Sequence, residues 1–310
     1  MKRHRVSQAF DEFVREHPGR DLDRGGLRYH YLDEGEGEPV VMVHGNPTWS
    51  FFYRGLVSGL CRSYRTIVPD HIGCGLSDKP DETCYHYTLG SRIADLEALL
   101  EHLGLDGGLT LVVHDWGGAI GLGYATRHPE RVARLVILNT AAFHLPKSKT
   151  FPWPLWLCRD TPLGAALVRG LNAFCRGTAR FGCTRRPLPR DIRDAYCAPY
   201  DSWGHRIAVH RFVQDIPLRA GDACYDLLTQ IQDGLARLAG VSTLIAWGMN
   251  DFVFDHHFLT EWVRRFPGAE VHRFARAGHY LLEDEGEQIV PLVRAFLSAH
   301  PVLREVGSQP

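Results

Sequence analysis

Apolar residues along this chain fall into short unbroken runs that alternate with longer stretches spaced at three and four, the pattern of strands alternating with helices. Residues 39–44, 65–69, 109–113, 135–138, 241–247 and 269–274 are the runs, rich in Val, Ile and Leu, and read as buried strands. Residues 21–32 read as two further strands meeting at Gly25-Gly26, a hairpin signal. Helical spacing appears at 49–60, long enough for a crossover helix. It appears again at Ile93, Leu96, Leu99, Leu100 and Leu103, with Asp95, Glu97 and Glu101 on other faces and Thr88 as cap. Residues 289–297 close the chain as an amphipathic helix, and residues 1–19 read as a surface leader with a short helix near 10–14.

Strands alternating with helices imply a mostly parallel sheet covered on both faces. The alternation stops near Phe143. Residues 144–220 are rich in Pro, Trp, Arg and Cys and carry helical periodicity without strands. The expected organisation is therefore an α/β core, residues 1–142, a helical cap, 143–220, and the rest of the core, 221–310.

Composition narrows the class. The chain has 310 residues, 45% of them hydrophobic, and a formal net charge of −1, which excludes the basic balance of a nucleic-acid binder. The basic start Met1-Lys2-Arg3-His4-Arg5 is followed by no apolar signal core, and no stretch is long enough to span a bilayer. The 8 cysteines are scattered without a Cys-x-x-Cys pair, as in a reducing compartment. A cytoplasmic protein without cofactor or metal is expected.

The chemistry centres on residues 109–121. The strand ends at His114-Asp115-Trp116 and gives way to Gly117, Gly118, Ala119 and Gly121. A strand-to-helix turn this sharp strains its apex residue and exposes the side chain above a helix N-terminus. The apex is Asp115. A carboxylate attacks carbon directly and forms an ester without a base to deprotonate it; alternatively, Asp115 is a helix N-cap.

Three other pieces lie directly after strands, where open α/β sheets place their ligands. His44-Gly45-Asn46-Pro47 is either a plain turn or a loop whose backbone and Asn46 amide donate to a developing anion. The indole N–H of Trp116 could face the same anion. Trp247-Gly-Met-Asn-Asp251 and Gly278-His279-Tyr280 complete the order Asp115, Asp251, His279, which is nucleophile, acid, histidine in α/β-hydrolases. Asp255 competes with Asp251 for the acid.

Together the segments at 44–54, 70–78, 114–118 and 278–280 closely resemble the haloalkane dehalogenases of the α/β-hydrolase fold, across the whole sheet domain. The resemblance implies Asp115 as nucleophile, His279 as base and Asn46 with Trp116 as holders of the leaving anion. Some dehalogenases place the acid after the sixth strand; Asn139 stands there, which implies Asp251. Epoxide hydrolases share the Asp nucleophile but usually carry an aromatic residue where Asn46 stands, and they use two cap tyrosines, for which Tyr196 and Tyr200 are available.

The insertion carries a narrower resemblance. Residues 151–156, 171–174 and 199–217 look like those of the dehalogenase-like enzymes of bacterial long-chain olefin biosynthesis. That resemblance implies decarboxylation of cis-3,4-dialkyl β-lactones to a cis-alkene and carbon dioxide, and assembly with a β-lactone synthetase and other pathway enzymes. The apolar, Arg-studded stretch 153–176 is a candidate docking face, and the many Trp, Phe and Leu of the cap suit an apolar pocket. Haloalkane hydrolysis and a non-catalytic scaffold are the other readings. Attack at the carbonyl or at the ring carbon bearing oxygen, and the role of His279, stay open at this level.

Overall fold

A computed structural model describes residues 7–302; the basic start Met1–Arg5 lies outside them. The chain begins with α1 (Gln8–Glu16), the hairpin β1 (Arg20–Asp23) and β2 (Arg28–Glu34), then β3 (Pro39–Val43), α2 (Arg54–Leu60), β4 (Arg65–Pro69) and α3 (Leu89–His102). Next come β5 (Leu109–Asp115), α4 (Trp116–Ala125) and β6 (Val132–Thr140). Five helices follow without a strand: α5 (Trp153–Asp160), α6 (Pro162–Ala165), α7 (Ala173–Phe181), α8 (Arg190–Cys197) and α9 (Ile207–Gln214). The chain ends with α10 (Tyr225–Gly234), β7 (Ser242–Gly248), α11 (His256–Arg265), β8 (Glu270–Phe274) and α12 (Leu281–Ala299).

The 8 strands form one sheet in the order β1-β2-β4-β3-β5-β6-β7-β8. β1 and β2 are antiparallel, and every pairing from β4 through β3 to β8 is parallel. β5 is central and buried at every position, so its unbroken Leu-Thr-Leu-Val-Val run packs helices on both faces. This is the α/β-hydrolase fold. All 8 cysteines are free thiols, and no described helix is long and apolar enough to cross a membrane.

The last helix differs from the sequence reading. It starts at Leu281, eight residues before the expected 289, and bends where Glu285 leaves helical geometry (φ −134°, ψ 21°). Glu283, Asp284 and Glu285 hid its first turns, since acidic residues there break the apolar spacing. Each is nevertheless engaged: Glu283 holds Arg54 (2.6 Å) and Tyr196, Asp284 accepts from three backbone N–H groups, and Glu285 pairs with Arg185.

Candidate active site

Asp115 sits at the end of β5 with φ 51° and ψ −127°, left-handed backbone that a side chain adopts only under strain. Such a residue costs about 1–3 kcal/mol and persists where surrounding packing over-determines it. The packing here is specific. A Cβ at Gly117 would overlap the Val43 carbonyl oxygen, so only glycine lets α4 descend this close to β3. The apex is thereby forced upward, 8% exposed, into a cavity. The cap reading of Asp115 fails, since its side chain makes no capping bond to the second or third N–H of α4.

One carboxylate oxygen is held and the other is free to react. Oδ1 accepts the Asn46 backbone N–H at 2.5 Å, and the Trp116 N–H also stabilises the charge. Oδ2 faces Nε2 of His279 at 3.7 Å. On the far side of the imidazole, Nδ1 meets Oδ2 of Asp251 at 2.8 Å. Asp251 is the carboxylate in line. Its rival Asp255 caps α11 through the His257 N–H (3.0 Å) and pairs with Lys149 (2.7 Å).

Charge follows the geometry. Burial drives the Asp115 carboxyl above the usual range; the His279 charge and the two N–H groups oppose that rise, and Asp251 adds to it. Burial also works to raise Asp251, but the His279 charge and hydrogen bond, with the N–H groups of Val253 (2.8 Å) and Phe254 (3.1 Å), hold it below the ordinary value. Burial would lower His279; its two carboxylate neighbours, Asp251 first, outweigh that and raise it. The arrangement favours an imidazolium flanked by carboxylates.

Asn46 and Trp116 both reach the cavity, but their roles divide. The Asn46 amide already donates to the Val209 carbonyl of α9 at 3.0 Å, leaving one amide hydrogen for a ligand, while its backbone N–H grips the Asp115 carboxylate. Trp116 is half-buried, with its ring 5.5 Å from that of Phe212. Tyr196 and Tyr200 do not line the cavity: one donates to Glu283 and the other to the Thr48 carbonyl (3.3 Å). Among the described residues no tyrosine lines the cavity to protonate an epoxide oxygen.

Apart from Thr178, the rest of the wall is apolar. The cavity, about 1020 Å³ out to its open mouth, is lined by Leu89, Phe143, Leu228, Phe254 and Phe258 from the sheet side. Phe151, Leu155, Phe174, Val213 and Ile216 line it from the insertion. Such a cavity takes a long hydrocarbon ligand and presents one polar cluster to it.

Three residues support the site in ways the sequence did not assign to them. The Asn139 side chain accepts the Gly248 N–H (2.7 Å) and donates to the Gly248 carbonyl (3.0 Å), at the base of the Asp251 loop. Asp284 accepts from Gly278 N (2.8 Å), Thr184 N (2.9 Å) and Arg185 N (3.1 Å), tying the His279 turn to the insertion. His114, pushed down to about 3 by burial and then by His279, is neutral and meets the His279 carbonyl at 2.9 Å. Asp284 could have been found only as an acidic residue in a helix's first turn, a common surface feature.

Known proteins resemble this chain at two levels. A family model described as the alpha/beta hydrolase fold matches residues 38–172. A Shewanella oneidensis protein named cis-3-alkyl-4-alkyloxetan-2-one decarboxylase is 57% identical over 277 residues, covering 89% of this chain and 87% of that protein. A Xanthomonas campestris pv. campestris protein of the same name is 51% identical over 286 residues, covering 90% and 95%. A haloalkane dehalogenase from Mycolicibacterium paratuberculosis is 30% identical, covering 89% and 90%. Among solved structures, the haloalkane dehalogenase DatA from Agrobacterium tumefaciens superposes with a TM-score of 0.82 at 25% identity, over 91% of this chain and 97% of that one.

Proposed function

Because the chain belongs to the α/β-hydrolase family, in the branch holding cis-3-alkyl-4-alkyloxetan-2-one decarboxylases and haloalkane dehalogenases, we propose that it decarboxylates cis-3,4-dialkyl β-lactones to cis-alkenes and carbon dioxide. The observation that carries this reading is the 57% identity to a protein of that name over 277 residues, insertion included. The apolar cavity over a single carboxylate supports it.

In the proposed reaction Oδ2 of Asp115 attacks the ring carbon bearing oxygen. The C–O bond of the strained ring breaks, its electron pair going to the leaving carboxylate, and an alkyl ester of Asp115 forms with inversion. The bond to the new carboxylate then breaks, its electrons form the C=C bond, and the ester oxygen departs with its own pair. Carbon dioxide leaves and Asp115 is regenerated, with no water consumed. Inversion followed by elimination of groups on opposite faces keeps the two alkyl chains cis.

The roles follow from this chemistry. The free hydrogen of the Asn46 amide and the Trp116 indole N–H stabilise the departing carboxylate, each such donor contributing about 3 kcal/mol to the transition state. The backbone N–H of Asn46 holds Oδ1, so that Oδ2 is the attacking atom. The raised His279, fixed by Asp251, serves as a positive charge beside both carboxylates and need not move a proton. A cytoplasmic location and assembly with a β-lactone synthetase and other olefin-pathway enzymes belong to the same reading.

A second reading has support in the same donors. Asn46 and Trp116 suit a halide, and with His279 activating water the site would hydrolyse a haloalkane. Purified protein given a synthetic cis-dialkyl β-lactone or a long-chain 1-bromoalkane, with products resolved by gas chromatography and mass detection, separates the two. Alkene from the lactone, absent with Asp115→Ala, is expected. Alcohol and bromide with untouched lactone would overturn the decarboxylase reading, and inertness with tight binding of a protein partner would favour a scaffold.

A further inference from the structure

The large apolar side chains exposed on this protein are concentrated on one part of it. Six of the seven among the described residues are Trp153 (73% exposed), Trp156, Leu163, Leu171, Phe181 (69%) and Trp203, all from the helical insertion. The seventh, Phe252, also lines the cavity, so it marks where the cavity meets solvent. Helical spacing ties others to the same opening. Phe174 and Thr178 line the cavity, and Phe181 comes after them on that face of α7 at i, i+4, i+7. Phe151 and Pro152 line it as well, and Trp153 and Trp156 project outward one turn apart from the helix that starts there. Exposed apolar surface continuous with a cavity mouth marks an interaction site.

Charge says which kind. Residues 143–220 hold 13 Lys and Arg against 5 Asp, a net of +8, in a chain whose formal net charge is −1; the remainder therefore carries −9. Some of these cations serve the fold: Arg159 pairs with Asp160 and Asp222, and Arg185 with Glu285. Others face outward. Arg176 and Arg180, one turn apart on α7, are exposed and have no carboxylate within ion-pair reach among the described residues, and Arg180 lies over the Phe181 ring at 5.6 Å. Arg169, by contrast, is largely buried, lying over Trp203 at 4.6 Å and pairing with Glu82.

We propose that this face of the insertion docks on an anionic lipid bilayer. Trp153, Trp156 and Phe181 enter the interface, Arg176 and Arg180 meet lipid phosphates, and the cavity mouth opens onto the acyl layer. Aromatic side chains interleaved with cations are the pattern of interfacial anchors. Trp, Phe and Arg are enriched at protein interfaces too, so charge decides the occupant: the net +8 of this segment, against −9 for the rest of the chain, favours a polyanionic lipid surface. Docking itself stands on the exposed residues and the charge. Its use, delivery of a water-insoluble dialkyl lactone straight from the membrane, rests on the proposed function.

Flotation of the full-length protein with vesicles tests this without substrate, so its outcome is independent of the decarboxylase reading. Partition onto phosphatidylcholine–phosphatidylglycerol vesicles, but not phosphatidylcholine alone, is expected, with release by salt. The Arg176→Glu/Arg180→Glu protein should partition about tenfold less or weaker still, and Trp153→Ser/Trp156→Ser should lose a comparable factor. Matching thermal unfolding curves would show that both variants fold. No partition onto anionic vesicles, equal partition onto both kinds, or variants that bind like the parent would overturn the proposal. So would a dimer in solution that either variant dissociates, since the face would then be covered by a second copy.

Discussion

Asn139 and Gly248 exchange two hydrogen bonds across the ends of β6 and β7, the amide of one closing on the backbone N–H and carbonyl of the other at 2.7 and 3.0 Å. Asp251 stands three residues later, so this clasp sets the position of the carboxylate behind His279.

Replacing Asn139 by Ala should therefore act through Asp251. We expect kcat to fall about a hundredfold with KM nearly unchanged, the usual cost of a misplaced group in a preorganised site. Stability should fall by about 1–3 kcal/mol from the buried Gly248 groups left unpaired. Asn139→Asp, which keeps the acceptor for the Gly248 N–H, should recover part of the rate. A purely structural role would lower the melting temperature and leave kcat per folded molecule alone, which steady-state kinetics and calorimetry would reveal.

Asp115→Asn should abolish turnover and raise stability near neutral pH. Burial lifts the Asp115 carboxyl above its ordinary value, so the folded state holds the ionised form at a cost that is present above the folded pKa and vanishes below the unfolded one, about 3.9. Asn removes that charge while keeping an acceptor for the Asn46 N–H. The gain in melting temperature should be largest near pH 7 and shrink toward pH 4. An Asn variant less stable than the parent at pH 7 would contradict this account.

Stability should also fall on the acid side, starting well above the carboxylate range. Burial lowers His44, His71 and His114, the last to about 3. For a group whose folded pKa is depressed, the stabilisation is complete above the unfolded value, about 6.5, and is lost as pH falls through that value toward the folded one. Each such histidine costs up to about 1.4 kcal/mol per pH unit. Burial also lowers His144 and His210, while His279 is raised and works in the opposite sense, gaining stability toward low pH, so five depressed imidazoles stand against one raised. Denaturant titrations between pH 7.5 and pH 5 should show a declining midpoint; a flat profile would mean these imidazoles are not held neutral.

Gly45→Ala tests the space beside the Asp115 carboxylate. A Cβ there would overlap Oδ1, Cβ and Cγ of Asp115, so the whole carboxylate, Oδ2 included, must shift. We expect at least about a hundredfold loss of kcat/KM, since a shift near 1 Å costs that much, while the variant still folds. An active Ala variant would show that the carboxylate has another productive position.

Much of this protein was determined by the order of residues along the chain. Unbroken apolar runs and helical spacings are local patterns, and they set the strands, the helices and the strandless segment after Thr140. The turn at the end of each strand is local too, so Asp115, Asn46, Trp116 and His279 were legible as candidates from turn chemistry and order. The tertiary structure decided whatever depends on distance between remote positions. It set Asp251 rather than Asp255 behind His279, 28 residues apart, and turned Tyr196 and Tyr200 away from the cavity. It bound the Asn46 backbone to a carboxylate 69 residues on, and it made Asn139 and Asp284 the supports of the site. Sequence spacing records which face of an element a side chain takes; only packing brings two faces within hydrogen-bond reach, at about 3 Å.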